Sequence, residues 1–310
     1  MDLVREVLKG NQRAIARMIS LVENEKEKAY PYLRKLYLSS NNSLVIGVTG
    51  APGSGKSTLI DQMIKHFREK KKSVGIIAVD PTSPFTGGAI LGDRIRMMRH
   101  CLDNGVFIRS MATRGHLGGL AKSTGEVITI LEASGKDVII IETVGVGQDE
   151  VEIVKFADLV LVILVPGAGD EIQTFKAGIM EIGDIFVINK ADHPETPNFE
   201  RQLQAILSLG LKEKESQIPV VKTVATTGDG VNILIEKILN FENGDLQSRI
   251  EQRRKRFIRW MLEDIMKEII YNEIRKRISD EEFNEYVEKI YEKQFDPFSL
   301  SEELIKKLIK

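Results

Sequence analysis

The chain has 310 residues, a formal net charge of −1 and 42% hydrophobic residues, which suits one large core with extensions and gives no global pull toward nucleic acid or an anionic membrane. Its single cysteine, Cys101, excludes an internal disulfide framework and fits a reducing compartment, so the expected location is the cytoplasm. The longest apolar run, Leu159 to Val165, is far short of the ~20 residues that cross a bilayer, and the N-terminus shows no unbroken apolar signal region, so no membrane association is expected.

In chain order, residues 1–43 carry apolar side chains at helical spacing: Leu3, Val4, Val7 and Leu8, then Ile15, Met18, Ile19 and Val22 beyond Gly10-Asn11. They read as an N-terminal helical extension. From 44 to 242, β-branched runs alternate with helical stretches, with strands expected at Leu44–Thr49, Ser73–Val79, Gly105–Ile108, Asp137–Glu142, Leu159–Val165, Asp184–Asn189 and Pro219–Val224. This alternation predicts an α/β core: a mainly parallel sheet with helices on both faces. Residues 243–310 are rich in charges of both signs and place Phe257, Trp260, Met261, Ile265 and Ile269 at helical spacing, which predicts a C-terminal helical arm or dimerisation element. The run Arg253-Arg254-Lys255-Arg256 is read as a solvated helix face rather than a nucleic-acid patch, because acidic residues soon balance it.

The first expected strand leads into Gly50-Ala51-Pro52-Gly53-Ser54-Gly55-Lys56-Ser57-Thr58, which satisfies G-x-x-x-x-G-K-[ST] at every fixed position. This is the phosphate-binding loop of a P-loop NTPase. Glycines let backbone N–H groups curl around a phosphate, Lys56 reaches its terminal oxygens, Ser57 offers a hydroxyl to Mg²⁺, and a helix starting near Lys56 aims its positive end at the ligand. At the end of a later strand, Asn189-Lys190-Ala191-Asp192 supplies a carboxylate that can accept from guanine N1–H and the exocyclic amine, whereas adenine offers an acceptor at N1. Ala225-Thr226-Thr227 ends another strand and can back the base with a main-chain N–H. Glu142, at the end of the Ile139–Ile141 run, and Asp80 and Asp93 are the acids expected around Mg²⁺ and the attacking water, directly or through water. Gln148 follows Glu142 in a Glu-x-x-Gly-x-Gly-Gln segment and is assigned a weak catalytic role beside a loop-shaping one.

The segments Val79–Arg96, Glu142–Gln148 and Pro166–Gln173, with Gly10–Asn24 near the N-terminus, resemble the MeaB/ArgK-type GTPases associated with methylmalonyl-CoA mutase, of the SIMIBI class. The resemblance covers about residues 10 to 230; the arm resembles the family in kind only. It implies a homodimer and a slow, Mg²⁺-dependent GTPase that turns GTP into GDP. Its partner would be a coenzyme-B12-dependent acyl-CoA mutase whose cofactor delivery it gates or whose active form it protects. It also assigns Asp170, Glu171, Gln173 and Lys176 to a switch loop, which read without the resemblance is a connector capped by Asp170. No Asp-x-His-x-x-Gly signature is present, so the chain itself is expected to hold no cobalamin. Two alternatives accompany this reading, a protein kinase of a transport system and a GTP-sensing scaffold with negligible hydrolysis. His66, His100, His116 and His193 show no metal-ligand spacing, Cys101 reads as a packing residue, and His116 is a candidate for a nucleotide-linked or interface role.

Overall fold

The computed structural model describes residues 2–40, 42–80, 98–100, 102–112, 123–143, 152–167, 179–210, 218–243 and 247–309. Asp93, Cys101, His116, Gln148 and the expected switch-loop residues Asp170, Glu171, Gln173 and Lys176 lie outside them, as does the side chain of Asp80. Two compact units divide the chain, Met1–Arg254 and Lys255–Lys310.

Among the described residues of the first unit, seven strands form one sheet: β1 (Leu44–Thr49), β2 (Val74–Asp80), β3 (Val106–Ala112), β4 (Val138–Glu142), β5 (Leu159–Leu164), β6 (Ile185–Asn189) and β7 (Val220–Thr223). Their spatial order is β3-β2-β4-β1-β5-β6-β7 and every pairing is parallel. A parallel sheet needs both faces covered, which is why β1, β4, β5 and β6 are buried at every position. Strand parity assigns the faces. Leu44, Ile46 and Val48 of β1, with Ile140, Leu161 and Val187, pack against α4 (Lys56–Glu69) and α8 (Val231–Asn243). The opposite parity carries Gly47 and Gly75, where an added Cβ would strike Ile153 and would crowd Leu131 of α5 (Thr124–Ala133). On α4 the buried series Leu59, Ile60, Met63, Ile64 and Phe67 follows helical spacing, each side chain contributing about 1.5–3 kcal/mol of burial.

The N-terminal helices α1 (Leu3–Leu8), α2 (Gln12–Asn24) and α3 (Lys26–Tyr37) pack on one another and on α5. Asn11 caps α2 by accepting from the N–H groups of Arg13 and Ala14 at 3.0 and 3.2 Å. The apolar spacing read in the sequence is realised on α2, where Ile15, Met18, Ile19 and Val22 are buried, whereas Leu8 is 40% exposed. Edge strand β3 is covered by this layer: Gln12 Nε2 donates to the Val106 carbonyl at 3.2 Å, and Arg109 pairs with Glu23.

Helices α6 (Ile179–Ile182) and α7 (Thr196–Gly210) complete the described part of the first unit, together with the first turns of α9 (Gln247–Arg277). Here the structure corrects the reading of Arg253 and Arg254 as a solvated face. Arg253 Nη2 donates to Asp184 Oδ1 at 3.0 Å and Arg254 Nε to Asp158 Oδ1 at 2.7 Å, and both carboxylates are buried. They sit at the starts of β6 and β5, where each also accepts a backbone N–H, from Val160 and Val45 respectively. The second unit holds the rest of α9, then α10 (Asp280–Tyr291) and α11 (Pro297–Ile309). Ser279 caps α10 by accepting from Glu282 N–H, and the Arg275 guanidinium stacks over Phe283, 4.2 Å from the ring centre. No described helix is long and apolar enough to cross a membrane.

A candidate nucleotide site at the strand ends

The loop after β1 and the ends of β4, β6 and β7 converge at the carboxyl edge of the sheet, where parallel sheets gather ligands. Residues 50–55 turn sharply, and Gly50 and Gly55 take φ of +143° and +89°. A side chain at either position would be strained and obstructed: an added Cβ at Gly50 would lie 2.3 Å from the Ile163 carbonyl oxygen, and one at Gly55 2.4 Å from Asn189 Nδ2. Gly55 is also the N-cap of α4, so the helix opens with no side-chain cap and no acidic residue in its first turn. A helix start of this kind favours an anion.

Lys56 is buried, and its ammonium points back into the loop, donating to the carbonyls of Gly50 and Ala51 at 2.7 and 3.1 Å. Ser57 Oγ donates to Glu142 Oε1 at 2.7 Å, joining the first turn of α4 to the end of β4. Thr143 extends that junction by donating from its N–H to the Val48 carbonyl at 3.2 Å. A buried hydroxyl and a buried carboxylate in contact form a hard oxygen pair of the type Mg²⁺ accepts beside phosphate oxygens. Ser57 and Glu142, expected from the sequence to share a metal, are thus brought together. Thr58 follows them on α4, and Pro52, Gly53 and Ser54 form the outer turn, closed by Ser54 N–H donating to the Ala51 carbonyl.

Asn189 is the centre of a second junction. It is 1% exposed; its Nδ2 donates to the Ser54 carbonyl at 2.8 Å, and its Oδ1 accepts from Thr223 Oγ1 at 3.2 Å and from Ala225 N–H at 3.1 Å. One side chain therefore fixes the phosphate loop, the end of β6 and the loop after β7 relative to each other. The sequence marks Asn189 as a base-reading residue but gives no sign of this bracing role, which depends on strands far apart in the chain. Lys190 has a left-handed φ of +55° and donates from Nζ to the Gly53 carbonyl at 3.1 Å. A non-glycine residue held in that region stores about 1–3 kcal/mol, a cost typical of functional loops. Asp192 lines an open cleft of about 560 Å³ with His193, Lys222, Thr223, Val224 and Gly230. Thr226 and Thr227 lie in the turn that follows Ala225, where Thr227 Oγ1 donates to Asp229 Oδ2 at 2.7 Å.

Residues 15–279 match the family model of the methylmalonyl-CoA mutase-associated GTPase MeaB. A Pyrococcus abyssi protein named as an inferred GTPase is 48% identical over 99% of this chain and 96% of its own length. The GTPase ArgK of Escherichia coli is 33% identical over 92% of this chain and 88% of its own. Among solved structures, a LAO/AO transport system kinase superposes with a TM-score of 0.70 at 23% identity, covering 100% of this chain and 97% of that one; at that identity the likeness concerns the fold.

Proposed function

The chain belongs to the MeaB family of methylmalonyl-CoA mutase-associated GTPases, and from that premise we propose that it hydrolyses GTP to GDP with Mg²⁺ in order to chaperone a coenzyme-B12-dependent acyl-CoA mutase. It is a GTPase; the metal, the client and the residue roles are the proposal. The observation that carries it is the junction at Asn189, which braces a complete phosphate loop against the loop bearing Asp192.

In this reading Asn189, Lys190 and Asp192 read guanine, with Asp192 accepting from its N–H groups and the backbone of Ala225 to Thr227 behind it. Gly50, Pro52, Gly53, Ser54, Gly55 and Thr58 shape the phosphate cradle, and Lys56 moves its ammonium from loop carbonyls to phosphate oxygens. Ser57 and Glu142 would hold Mg²⁺, which when bound neutralises charge on the transferred phosphoryl group. Asp80 and Asp93 would complete the surroundings of the metal and the attacking water. Gln148 would shape the neighbouring loop, and Asp170, Glu171, Gln173 and Lys176 would respond to nucleotide and client. Hydrolysis then needs positioning and charge stabilisation rather than a covalent intermediate.

The second unit supports a homodimer. On α9, Ile258, Leu262, Met266, Ile269 and Ile270 are each more than 40% exposed and recur at helical spacing, an apolar stripe left uncovered among the described residues that a second copy would cover. A cytoplasmic location accords with the single cysteine.

The test is phosphate release from GTP and from ATP, each with and without the purified mutase of the same organism. A GTP-selective rate that rises with mutase supports the proposal. A GTP-selective rate indifferent to mutase removes the client, and label passing from the γ-phosphate to protein instead of free phosphate would establish a kinase.

A further inference from the structure

Asp61 lies on α4 one turn beyond Ser57 and is 2% exposed. A carboxylate so buried is costly unless it is paired. Its partners come from a single 3₁₀ turn, Met98–His100: Arg99 Nε donates to Oδ1 at 2.5 Å, another guanidinium nitrogen of Arg99 meets Oδ2, and His100 Nε2 lies 2.9 Å from Oδ1. The carboxylate can only accept, so Nε2 carries the proton. Burial, reinforced by the Arg99 charge and opposed by that of Asp103, holds His100 below the usual imidazole range. Arg99 is largely exposed, whereas the His100 side chain is 14% exposed, so His100 is the more enclosed of the two partners.

The turn marks where the connection leaving β2 at Asp80 returns toward β3. Farther along α4 the same return is tied a second time, by Arg68 donating from Nε and Nη2 to the two oxygens of Asp103 at 2.8 and 3.0 Å. In sequence, Asp93 stands five positions before Met98. Both acids assigned above to the metal and water, Asp80 at the end of β2 and Asp93, thus precede the Met98–His100 turn. The helix that holds the turn, α4, is the one that presents Lys56 and Ser57. A site is only as precise as the elements that hold it, and a displacement of about 1 Å costs on the order of 100-fold in rate.

We propose that Asp61 is a positioning residue for GTP hydrolysis: by clasping Arg99 and His100 it holds the return of the β2–β3 connection in register with Lys56 and Ser57. Asp61 lies outside the phosphate loop, and its effect runs through the Met98–His100 turn. The proposal rests on the GTPase reading of the site.

The test measures kcat and KM for GTP, GDP affinity and melting temperature in Asp61→Asn, Asp61→Ala, His100→Ala and His100→Gln. Asp61→Ala is expected to lower kcat about tenfold or more with GDP affinity changed less than about threefold, since the phosphate loop is untouched. His100→Ala should lower kcat in the same sense, His100→Gln, which keeps a donor, should restore most of it, and the Asp61→Ala/His100→Ala double variant should be no worse than Asp61→Ala. Arg68→Ala, which breaks the second and more distant tie of the same return, should lower kcat in the same sense but by less than Asp61→Ala. Loss of melting temperature without loss of kcat in the Asp61 variants overturns the proposal, as does a parallel fall of kcat and GDP affinity. If Asp61→Ala does not fold, Asp61→Asn and the His100 pair give the same comparison. A wild-type protein that does not hydrolyse GTP sinks the underlying reading instead, which is a distinct result.

Discussion

Asp184→Asn should destabilise the first unit by about 3 kcal/mol, because it removes one charge from a buried ion pair and strands the other. The Asp184 side chain is 0% exposed, and its main partner Arg253 is 11% exposed, bonded at 2.5 and 3.0 Å. Breaking a buried pair on one side costs about 3–5 kcal/mol. Arg249, 3.2 Å from the same carboxylate but 39% exposed, can turn to solvent and adds no more than about 1 kcal/mol. Asparagine keeps an oxygen for the Val160 N–H, so the backbone bond survives and the value falls at the low end of the range. At roughly 2–4 °C per kcal/mol for a domain of this size, the melting temperature should fall by about 6–12 °C. Urea and thermal unfolding of nucleotide-free protein, followed by far-UV circular dichroism, measure both quantities. Arg249→Ala should cost under about 1 kcal/mol, and Arg253→Met added to Asp184→Asn should recover at least half the loss by removing the stranded charge. A cost below about 1 kcal/mol for Asp184→Asn, or no recovery in the double variant, would refute the reasoning.

Glu132 offers a pH test. Burial pushes its carboxyl from 4.5 up to about 7 and the Asp158 charge adds to this, although the Arg254 charge and a backbone hydrogen bond from Ser43 oppose it. A raised carboxyl pKa means the folded state holds its proton more tightly, so this group's contribution to stability is full below about pH 4.5 and is lost as pH rises to about 7. Glu132→Gln should therefore match wild type near pH 4.5 and be more stable by up to about 3 kcal/mol above pH 7; a difference between the two proteins that does not change with pH in urea titrations would contradict this. Asn189→Ala should cost the nucleotide-free protein about 2–3 kcal/mol by orphaning the Ser54 carbonyl and Ala225 N–H, and should weaken GDP binding at least about tenfold. Thermal shifts with and without GDP measure both effects, and an unchanged apo melting temperature would show that Asn189 is not a brace.

Much of the fold is legible in the sequence because a buried parallel sheet writes itself as apolar runs. Ile139 to Ile141 and Leu159 to Leu164 have no other sensible place. Strand β3 is where the reading fell short. It extends to Ala112 rather than ending near Ile108, because Arg109 breaks the apolar run while pairing with Glu23 on α2, and no local pattern announces a partner so far away. The same limit applies to the arginines of α9. Helical periodicity places Arg253 and Arg254 on a helix, but whether a cation faces water or a carboxylate depends on Asp158 and Asp184, which the fold brings from distant strands. At the site, the phosphate loop and Asn189 to Asp192 are visible because their chemistry is local and tied to spacing. The bracing role of Asn189 and the clasp at Asp61 are invisible there, since each is defined by partners on other elements.

The most direct test of the central claim, a guanine site read by Asp192, is hydrolysis of GTP and of xanthosine triphosphate by wild type and by Asp192→Asn. Xanthine presents a carbonyl where guanine carries its exocyclic amine, so a carboxamide at 192 can donate to xanthine where the carboxylate accepts from guanine. The account predicts that kcat/KM preference moves from GTP toward the xanthosine nucleotide by about 100-fold or more in Asp192→Asn, with the protein folded and the phosphate loop unchanged. Retained preference for GTP in that variant, or equal loss of both activities, would contradict it.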